Sequence, residues 1–125
     1  MSLIIDNIQQ SFETKQVLAD LSFTVEDGEF VSIIGPSGSG KSTLFSIIGG
    51  LLKPTSGEIT LDGHSIVNER GHISYMPQQD TLLPWRTILQ NVVLGQELQN
   101  KTDERLAETL LVKAGLQDVV HAYPH

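Results

Sequence analysis

One segment of the chain determines the predicted architecture: Gly35-Pro36-Ser37-Gly38-Ser39-Gly40-Lys41-Ser42. It matches the pattern G-x-x-x-x-G-K-[ST], a loop whose backbone N–H groups surround the phosphates of a nucleotide. The pattern is specific when a strand precedes the loop and a helix follows it. Residues 30–34 form an apolar, partly β-branched run, and residues 41–52 have helical character up to Pro54, which cannot continue a helix. We therefore predict a strand, a phosphate loop and a helix, in this order.

The residue types of this loop predict the binding of a nucleotide together with a metal ion. Glycines allow backbone N–H groups to converge on an anion, and the following helix directs its positive dipole end at the same place. Lys41 is expected to contact the β- and γ-phosphates, Ser42 to ligate Mg²⁺, and Thr43 to donate to a phosphate oxygen. The predicted phosphate-binding residues are Gly35, Pro36, Ser37, Gly38, Ser39, Gly40, Lys41, Ser42 and Thr43.

Strands are predicted on the amino-terminal side of the loop. Residues 1–8 are apolar and of extended character, and residues 16–26 alternate apolar and polar side chains, as a half-buried strand does. Asp27-Gly28 then predicts a tight turn. Residues 30–34 do not alternate, which predicts a strand that is covered on both faces, as in a parallel sheet.

The region after the first helix predicts a hairpin and a further strand. Asp62-Gly63 lies between residues 58–61 and residues 64–67, which is a strong hairpin pattern. Residues 73–76 form a short apolar run, and we predict a strand there.

Two helices are predicted near the carboxyl end of the sequence. Residues 88–98 carry apolar side chains at helical spacing. Thr102 is the predicted cap of a last helix that stops at Gly115. The expected inward face of that helix consists of Leu106, Leu110, Leu111 and Ala114.

Length and composition exclude several classes of protein. The 125 residues have room for one domain, and 8 basic against 15 acidic residues give a net charge of -7, which argues against a nucleic-acid partner. The absence of cysteine excludes a disulfide scaffold and a zinc–thiolate site. We expect no signal peptide, and the most apolar window, residues 44–52, is far shorter than the ~20 residues of a spanning helix.

Several segments together resemble the ATP-binding subunits of ABC transporters along the whole chain. The phosphate loop matches the Walker A motif of that family in sequence and in place. The other matching segments are residues 17–25, 27–29, 53–59 and 61–63. The resemblance implies an α/β fold, with a P-loop NTPase core, an antiparallel β-subdomain and a partial helical subdomain. It implies one ATP-binding domain, divided into residues 1–78 and residues 79–125.

The resemblance also assigns residues outside the loop. Phe12 stands where the family stacks an aromatic ring on adenine, although from the residue alone it would be an ordinary core aromatic. Val17 is implied to line the nucleotide site. Gln78 matches the glutamine that bridges Mg²⁺ and the attacking water, with Gln79 as its one-residue-shifted competitor; the implied catalytic residues are Lys41 and Gln78.

The segment Leu82-Leu83-Pro84-Trp85 is similar to importer subunits for nitrate, for sulfonates such as taurine, or for thiamine precursors. Packing of a buried Trp85 behind a proline turn would explain the same four residues. The family docks the region after Gln78 on a membrane-embedded permease and pairs two ATP-binding subunits. The resemblance therefore implies a peripheral protein on the cytoplasmic face of the membrane, with ATP and Mg²⁺ as ligands.

Some motifs of the family are not found in the sequence. It contains no apolar strand that ends in Asp and Glu, and no Leu-Ser-Gly-Gly-Gln signature. We therefore interpret the chain as the amino-terminal half of an ATPase subunit that drives solute import. We expect it to bind without turnover by itself, and to expose an unpaired strand edge.

Two alternatives remain open at this point. In the first alternative, the chain is a nucleotide-binding module that does not hydrolyse its ligand. In the second it is another P-loop protein, such as a GTPase that reads guanine through Asn100-Lys101-Thr102-Asp103.

Overall fold

A computed structural model describes residues 2–125. The chain divides into two compact units, Met1–Met76 and Pro77–His125, of which the first carries all the strands found in the described residues. Each unit has its own cluster of buried apolar side chains.

The first unit contains an antiparallel sheet. Its strands are β1 (Leu3–Phe12), β2 (Lys15–Val25), β3 (Ser56–Leu61) and β4 (His64–Ser65), in the spatial order β2-β1-β3-β4. Leu3 pairs with Val25 on one side and with Leu61 on the other. The structure confirms the strand predicted over residues 16–26, the Asp62-Gly63 hairpin and the tight turn at Asp27-Gly28. The predicted alternation holds only from Leu21 to Val25, because an irregularity in the pairing with β1 leaves Leu18 buried and Ala19 exposed.

The first helix, α1 (Lys41–Ile48), follows the phosphate loop and belongs to the same core as the sheet. Leu44 and Ile47 of this helix are buried in one cluster with Ile5, Ile8 and Ile59 of the sheet. Burial of each large aliphatic side chain contributes about 1.5–3 kcal/mol, so this cluster anchors the loop to the sheet.

The helix α1 ends four residues earlier than the predicted end at residue 52, because two glycines interrupt it. Gly49 is its C-cap, and Gly50 has a φ of 79°. Gly50 also lies against the backbone of Glu69, so a close approach of two chain segments fixes the end of the helix.

The predicted strands at residues 30–34 and 73–76 are not formed, and this is a correction. A strand inside a sheet is held by ladder hydrogen bonds, and no segment within residues 2–125 pairs with either run. Their side chains lack the two covering layers that the prediction assumed: Phe30 is 92%, Ile34 95% and Met76 93% exposed. Ile33 and Ile73 pack partly against the core and line an open apolar pocket of about 230 Å³.

The second unit contains α2 (Ile88–Leu98), α3 (Glu104–Lys113) and a short 3₁₀ turn, Gln117–Val119. The predicted bounds of α2 and the stop at Gly115 are confirmed. Two details of α3 are wrong. Its N-cap is Asp103 and not Thr102, because the Asp103 carboxylate accepts the Leu106 N–H at 3.0 Å.

The second wrong detail concerns the inward face of α3. Ala107 and Leu111 are buried, whereas Leu106 and Leu110 are exposed. The side chains that α3 packs against lie on α2 and directly after the 3₁₀ turn, and the buried cluster consists of Leu89, Val93, Ala107, Leu111 and Val120.

Candidate functional site

The phosphate loop ends in a conformation that exposes several backbone donors. Gly40 is the N-cap of α1, with φ 95° and ψ 8°. The first hydrogen bond of the helix runs from the Leu44 N–H to the Gly40 carbonyl, at 2.9 Å. The N–H groups of Lys41, Ser42 and Thr43 precede this bond and have no acceptor within the helix. These are the groups that a helix leaves available for an anion.

Gly40 is required for two reasons. Its positive φ is unfavourable for residues with a Cβ atom. An added Cβ would also lie 2.9 Å from Leu18 Cδ2 and 3.0 Å from Val17 Cγ1. The loop is therefore packed directly on β2, and the structure brings the predicted residue Val17 against the loop.

Lys41 directs its ammonium group back at the loop. Its Nζ atom donates to the carbonyl oxygen of Gly35, to that of Pro36 at 2.8 Å, and to the hydroxyl of Ser39 at 3.2 Å. The group is held by neutral oxygens only, so phosphate oxygens would offer it stronger, charge-assisted acceptors. This geometry places a positive charge at the segment that the motif assigns to the phosphates.

The next two residues fit the roles that the sequence predicts for a metal ion and a phosphate. Ser42 is exposed in the first turn of α1, and within residues 2–125 its hydroxyl has no hydrogen-bond partner. Mg²⁺ takes oxygen ligands and retains several waters, so an exposed hydroxyl beside a phosphate site suits it. Thr43 is partly buried one position later.

Phe12 lies at the end of β1, in the same unit as the loop. It pairs with Lys15 across the turn to β2, and 46% of it is exposed. Phe12 is therefore not an ordinary core aromatic, since about half of the residue is exposed to solvent. A ring of this exposure has a face available for stacking.

Gln78 belongs to the second unit, whereas the loop belongs to the first. Gln78 and its competitor Gln79 are both exposed, in the non-helical segment that precedes α2. The contact of Gln78 with Mg²⁺ and water stays a prediction from the resemblance.

The guanine-reading alternative is disfavoured by the position of its four residues. Asn100-Lys101-Thr102-Asp103 connects two helices and does not follow a strand. The Asp103 carboxylate caps α3 through Leu106, and the Asp103 N–H donates to Gln96 Oε1 at 2.9 Å. The carboxylate that would recognise guanine is thus used in capping a helix.

Two polar residues of structural importance were missed by the sequence analysis. Gln10 is 5% exposed, and its Oε1 accepts the Thr55 N–H at 3.0 Å, which ties β1 to the segment before β3. Asn91 lies inside α2 and bonds back to the preceding turn. The Thr87-x-x-Gln90 capping pattern marks the start of the helix in the sequence, but it does not single out Asn91.

Replacement of Phe12 by alanine is expected to weaken Mg-ATP binding about tenfold and to leave binding of inorganic triphosphate unchanged. Stacking of a base on an aromatic ring contributes about 1–3 kcal/mol, whereas triphosphate has no base. Calorimetric titration of both ligands measures the difference. The matched control is Phe30→Ala, the same change at another exposed phenylalanine of the first unit. A parallel loss of triphosphate binding would contradict the assignment of Phe12 to adenine.

The sequence is similar to those of ATP-binding proteins of ABC transporters. A family model described as ABC transporter matches residues 18–124. An uncharacterized ABC transporter ATP-binding protein of Bacillus subtilis is 39% identical over 129 residues, covering 98% of this chain and 50% of that protein. An aliphatic sulfonates import ATP-binding protein of Zymomonas mobilis is 35% identical over 124 residues, covering 99% of this chain and 50% of that protein. The chain thus spans about half the length of these relatives.

A solved structure is similar to the whole fold. It is described as a dimeric ATP-binding cassette in a post-hydrolysis state, bound to ADP and Pi, with a TM-score of 0.84 and 30% identity. The match covers 98% of this chain and 61% of that one. The predicted α/β fold class, a P-loop core with an antiparallel sheet and helices, is confirmed by this similarity.

Proposed function

This chain belongs to the ABC transporter family, and from that premise we propose that it is the ATP-binding part of a transporter subunit that couples ATP to solute import. The observation that carries the proposal is the phosphate loop, with the Lys41 ammonium turned onto it and the first N–H groups of α1 beside it. Lys41, Ser42 and the loop backbone would hold the phosphates and Mg²⁺, and Phe12 the adenine ring. Gln78 would position water at the metal ion.

We assign the region after Gln78 to docking on a membrane-embedded permease. It presents apolar side chains to solvent: Trp85 is 70% exposed and Leu82 is 41% exposed. Exposed aromatic side chains of this size are enriched at protein interfaces, where they contribute most of the binding energy. The alternative that residues 82–85 serve to bury Trp85 is wrong, since the side chain is mostly exposed.

The proposal includes a second ATP-binding subunit and a place at the membrane. A second ATP-binding subunit that carries the signature segment of the family would close over the γ-phosphate, since the 125 residues contain no such segment. None of the helices in the described part of the chain is long and apolar enough to cross a membrane. Family membership, together with the sulfonate importer among the relatives, supports a peripheral position on the cytoplasmic face, beside the permease.

The 125-residue chain by itself is expected to bind Mg-ATP without steady turnover. Phosphoryl transfer depends on positioning and on electrostatic stabilisation, and the sequence has no strand ending in Asp and Glu to hold Mg²⁺ and activate water. Phosphate release under saturating Mg-ATP measures this directly. We expect a rate far below ~1 s⁻¹, the lower end of ordinary enzyme turnover.

Three outcomes would distinguish the functional alternatives. Steady release at ~1 s⁻¹ or faster that is abolished by Lys41→Ala would show that the chain is a complete ATPase. If the chain binds Mg-ATP without releasing phosphate, a longer chain that also carries the missing family motifs is tested next. Turnover by that longer chain supports the hypothesis that the 125 residues are the ATP-binding half of a transport ATPase. If the longer chain does not release phosphate either, the result supports the alternative of a non-hydrolysing nucleotide-binding module.

A further inference from the structure

The side chain of Asn91 is bonded at both ends to the turn that precedes α2. Its Nδ2 atom donates to the carbonyl oxygens of Leu83 at 3.2 Å, Arg86 at 3.2 Å and Thr87 at 3.0 Å. Its Oδ1 atom accepts the Leu83 N–H at 2.8 Å. A single amide therefore connects three backbone positions of residues 83–87 to the first turns of α2.

The same turn is fixed by contacts that do not involve Asn91. Arg86 N–H donates to the Leu83 carbonyl at 3.1 Å, which closes the turn, and the Arg86 guanidinium contacts Glu97 Oε2 at 2.8 Å. Thr87 and Gln90 form a reciprocal capping box at the start of α2, with distances of 2.8 and 3.2 Å. Residues 83–87 are thus a defined turn, anchored on the helix.

Trp85 lies within this turn, between the bonded residues Leu83 and Arg86. It is 70% exposed although the backbone on both sides is fixed by hydrogen bonds. Trp85 is therefore an exposed side chain on an ordered backbone. A large aromatic side chain on an ordered backbone spares its partner the cost of ordering that backbone on binding, which is a property of an interface anchor.

We propose that Asn91 is a positioning residue that holds Trp85 outward through the turn of residues 83–87, for contact with the permease. The contact with the permease rests on the function proposed above, whereas the positioning of Trp85 does not. The position requires an amide, because the Asn91 oxygen accepts one hydrogen bond while the two N–H bonds of its Nδ2 are shared among three carbonyl oxygens. Aspartate offers only acceptors, and leucine, which is similar in size, offers neither donor nor acceptor.

The first test uses the 125-residue chain and its one tryptophan, Trp85. Time-resolved fluorescence anisotropy measures the local motion of this side chain, and amide exchange by NMR measures protection of the Leu83 N–H. Asn91→Leu is expected to increase the fast local motion of Trp85 and to abolish protection of Leu83. Asn91→Asp is expected to retain protection of Leu83, because a carboxylate still accepts that bond, but to loosen Trp85 in the same way.

The matched control is Gln99→Ala, which changes an exposed amide at the other end of α2. All variants are compared below the temperature at which circular dichroism shows loss of helix, so a general loss of stability does not affect the measurement. Unchanged anisotropy in both Asn91 variants would overturn the proposal. Equal loosening in Gln99→Ala would also overturn it, because the effect would then not belong to the Asn91 contacts.

The second test measures binding of the chain to the purified permease subunit of the parent transporter. Trp85→Ala and Asn91→Leu are each expected to weaken binding about tenfold, and the double variant no more than either alone, because one acts through the other. Additive losses would overturn the coupling of Asn91 to Trp85. Absence of any binding by the unaltered chain, with the anisotropy result intact, would refute the docking function and leave the positioning of Trp85 standing.

Discussion

Replacement of Lys41 by alanine is expected to weaken the binding of Mg-ATP by about ten- to a hundredfold. A hydrogen bond to a charged group contributes about 1.5–3 kcal/mol, and the Lys41 ammonium is the only side-chain cation that the phosphate motif supplies. Its contacts with the Pro36 carbonyl and the Ser39 hydroxyl show that the side chain reaches over the loop. Calorimetric titration with Mg-ATP measures the loss.

The control for this result is Lys53→Ala. Lys53 is an exposed lysine of the same unit, so both variants remove one positive charge from a chain whose net charge is already -7. We expect Lys53→Ala to bind Mg-ATP nearly as well as the unaltered chain. Equal weakening in the two variants would indicate a general effect of charge and would contradict a specific role for Lys41.

Replacement of Gly50 by alanine is expected to destabilise the first unit by more than about 3 kcal/mol, through strain and a backbone clash. The φ of Gly50 is 79°, and an added Cβ would lie 2.0 Å from the carbonyl oxygen of Glu69 and 2.4 Å from its carbon. No flexible side chain is available to move away from that position. Thermal unfolding followed by circular dichroism measures the change.

Gly28→Ala separates the two causes. Gly28 has a similar φ of 74°, and no atom lies within 4 Å of an added Cβ. This variant therefore carries the strain alone, which we expect to cost about 1–2 kcal/mol. If Gly50→Ala is no less stable than Gly28→Ala, the close approach of Gly50 and Glu69 does not contribute to the stability of the unit.

Local patterns predicted the elements whose partners lie nearby in the sequence. The Asp62-Gly63 hairpin and the bounds of α2 depend on hydrogen bonds between residues close along the chain. The helix that follows the phosphate loop belongs to the same group, because the loop glycines, Lys41 and the helix are contiguous, whereas the strand predicted before the loop is not formed. For these features the sequence and the structure agree.

The predictions that failed concern residues whose conformation depends on distant segments. Residues 30–34 and 73–76 have strand composition, yet within the described residues no neighbouring strand completes a ladder with them. The end of α1 depends on the contact of Gly50 with Glu69, and the face of α3 depends on which side α2 approaches. Periodicity gives the spacing of apolar residues, but the direction from which a neighbour arrives is a property of the tertiary structure.

The functional residues also fall into those that a contiguous motif identifies and those that only the tertiary structure identifies. The motif identified Lys41 and Ser42 from their spacing, whereas Asn91 acts through hydrogen bonds to a turn and has no fixed motif. A polar residue one turn into a capped helix is usually solvated, so only the structure distinguishes Asn91 from its exposed neighbour Gln90. Phe12 was assigned by the resemblance and is found half exposed.

The central claim is that the phosphate loop binds an adenine nucleotide. Its most direct test is an equilibrium titration of the 125-residue chain with Mg-ATP, followed by competition with inorganic triphosphate and with Mg-GTP. The site described here predicts saturable binding of Mg-ATP that triphosphate displaces, because both ligands use the N–H groups at the start of α1 and the Lys41 ammonium. Binding of Mg-ATP that triphosphate does not displace would contradict the claim, as would a preference for Mg-GTP or the absence of saturable binding.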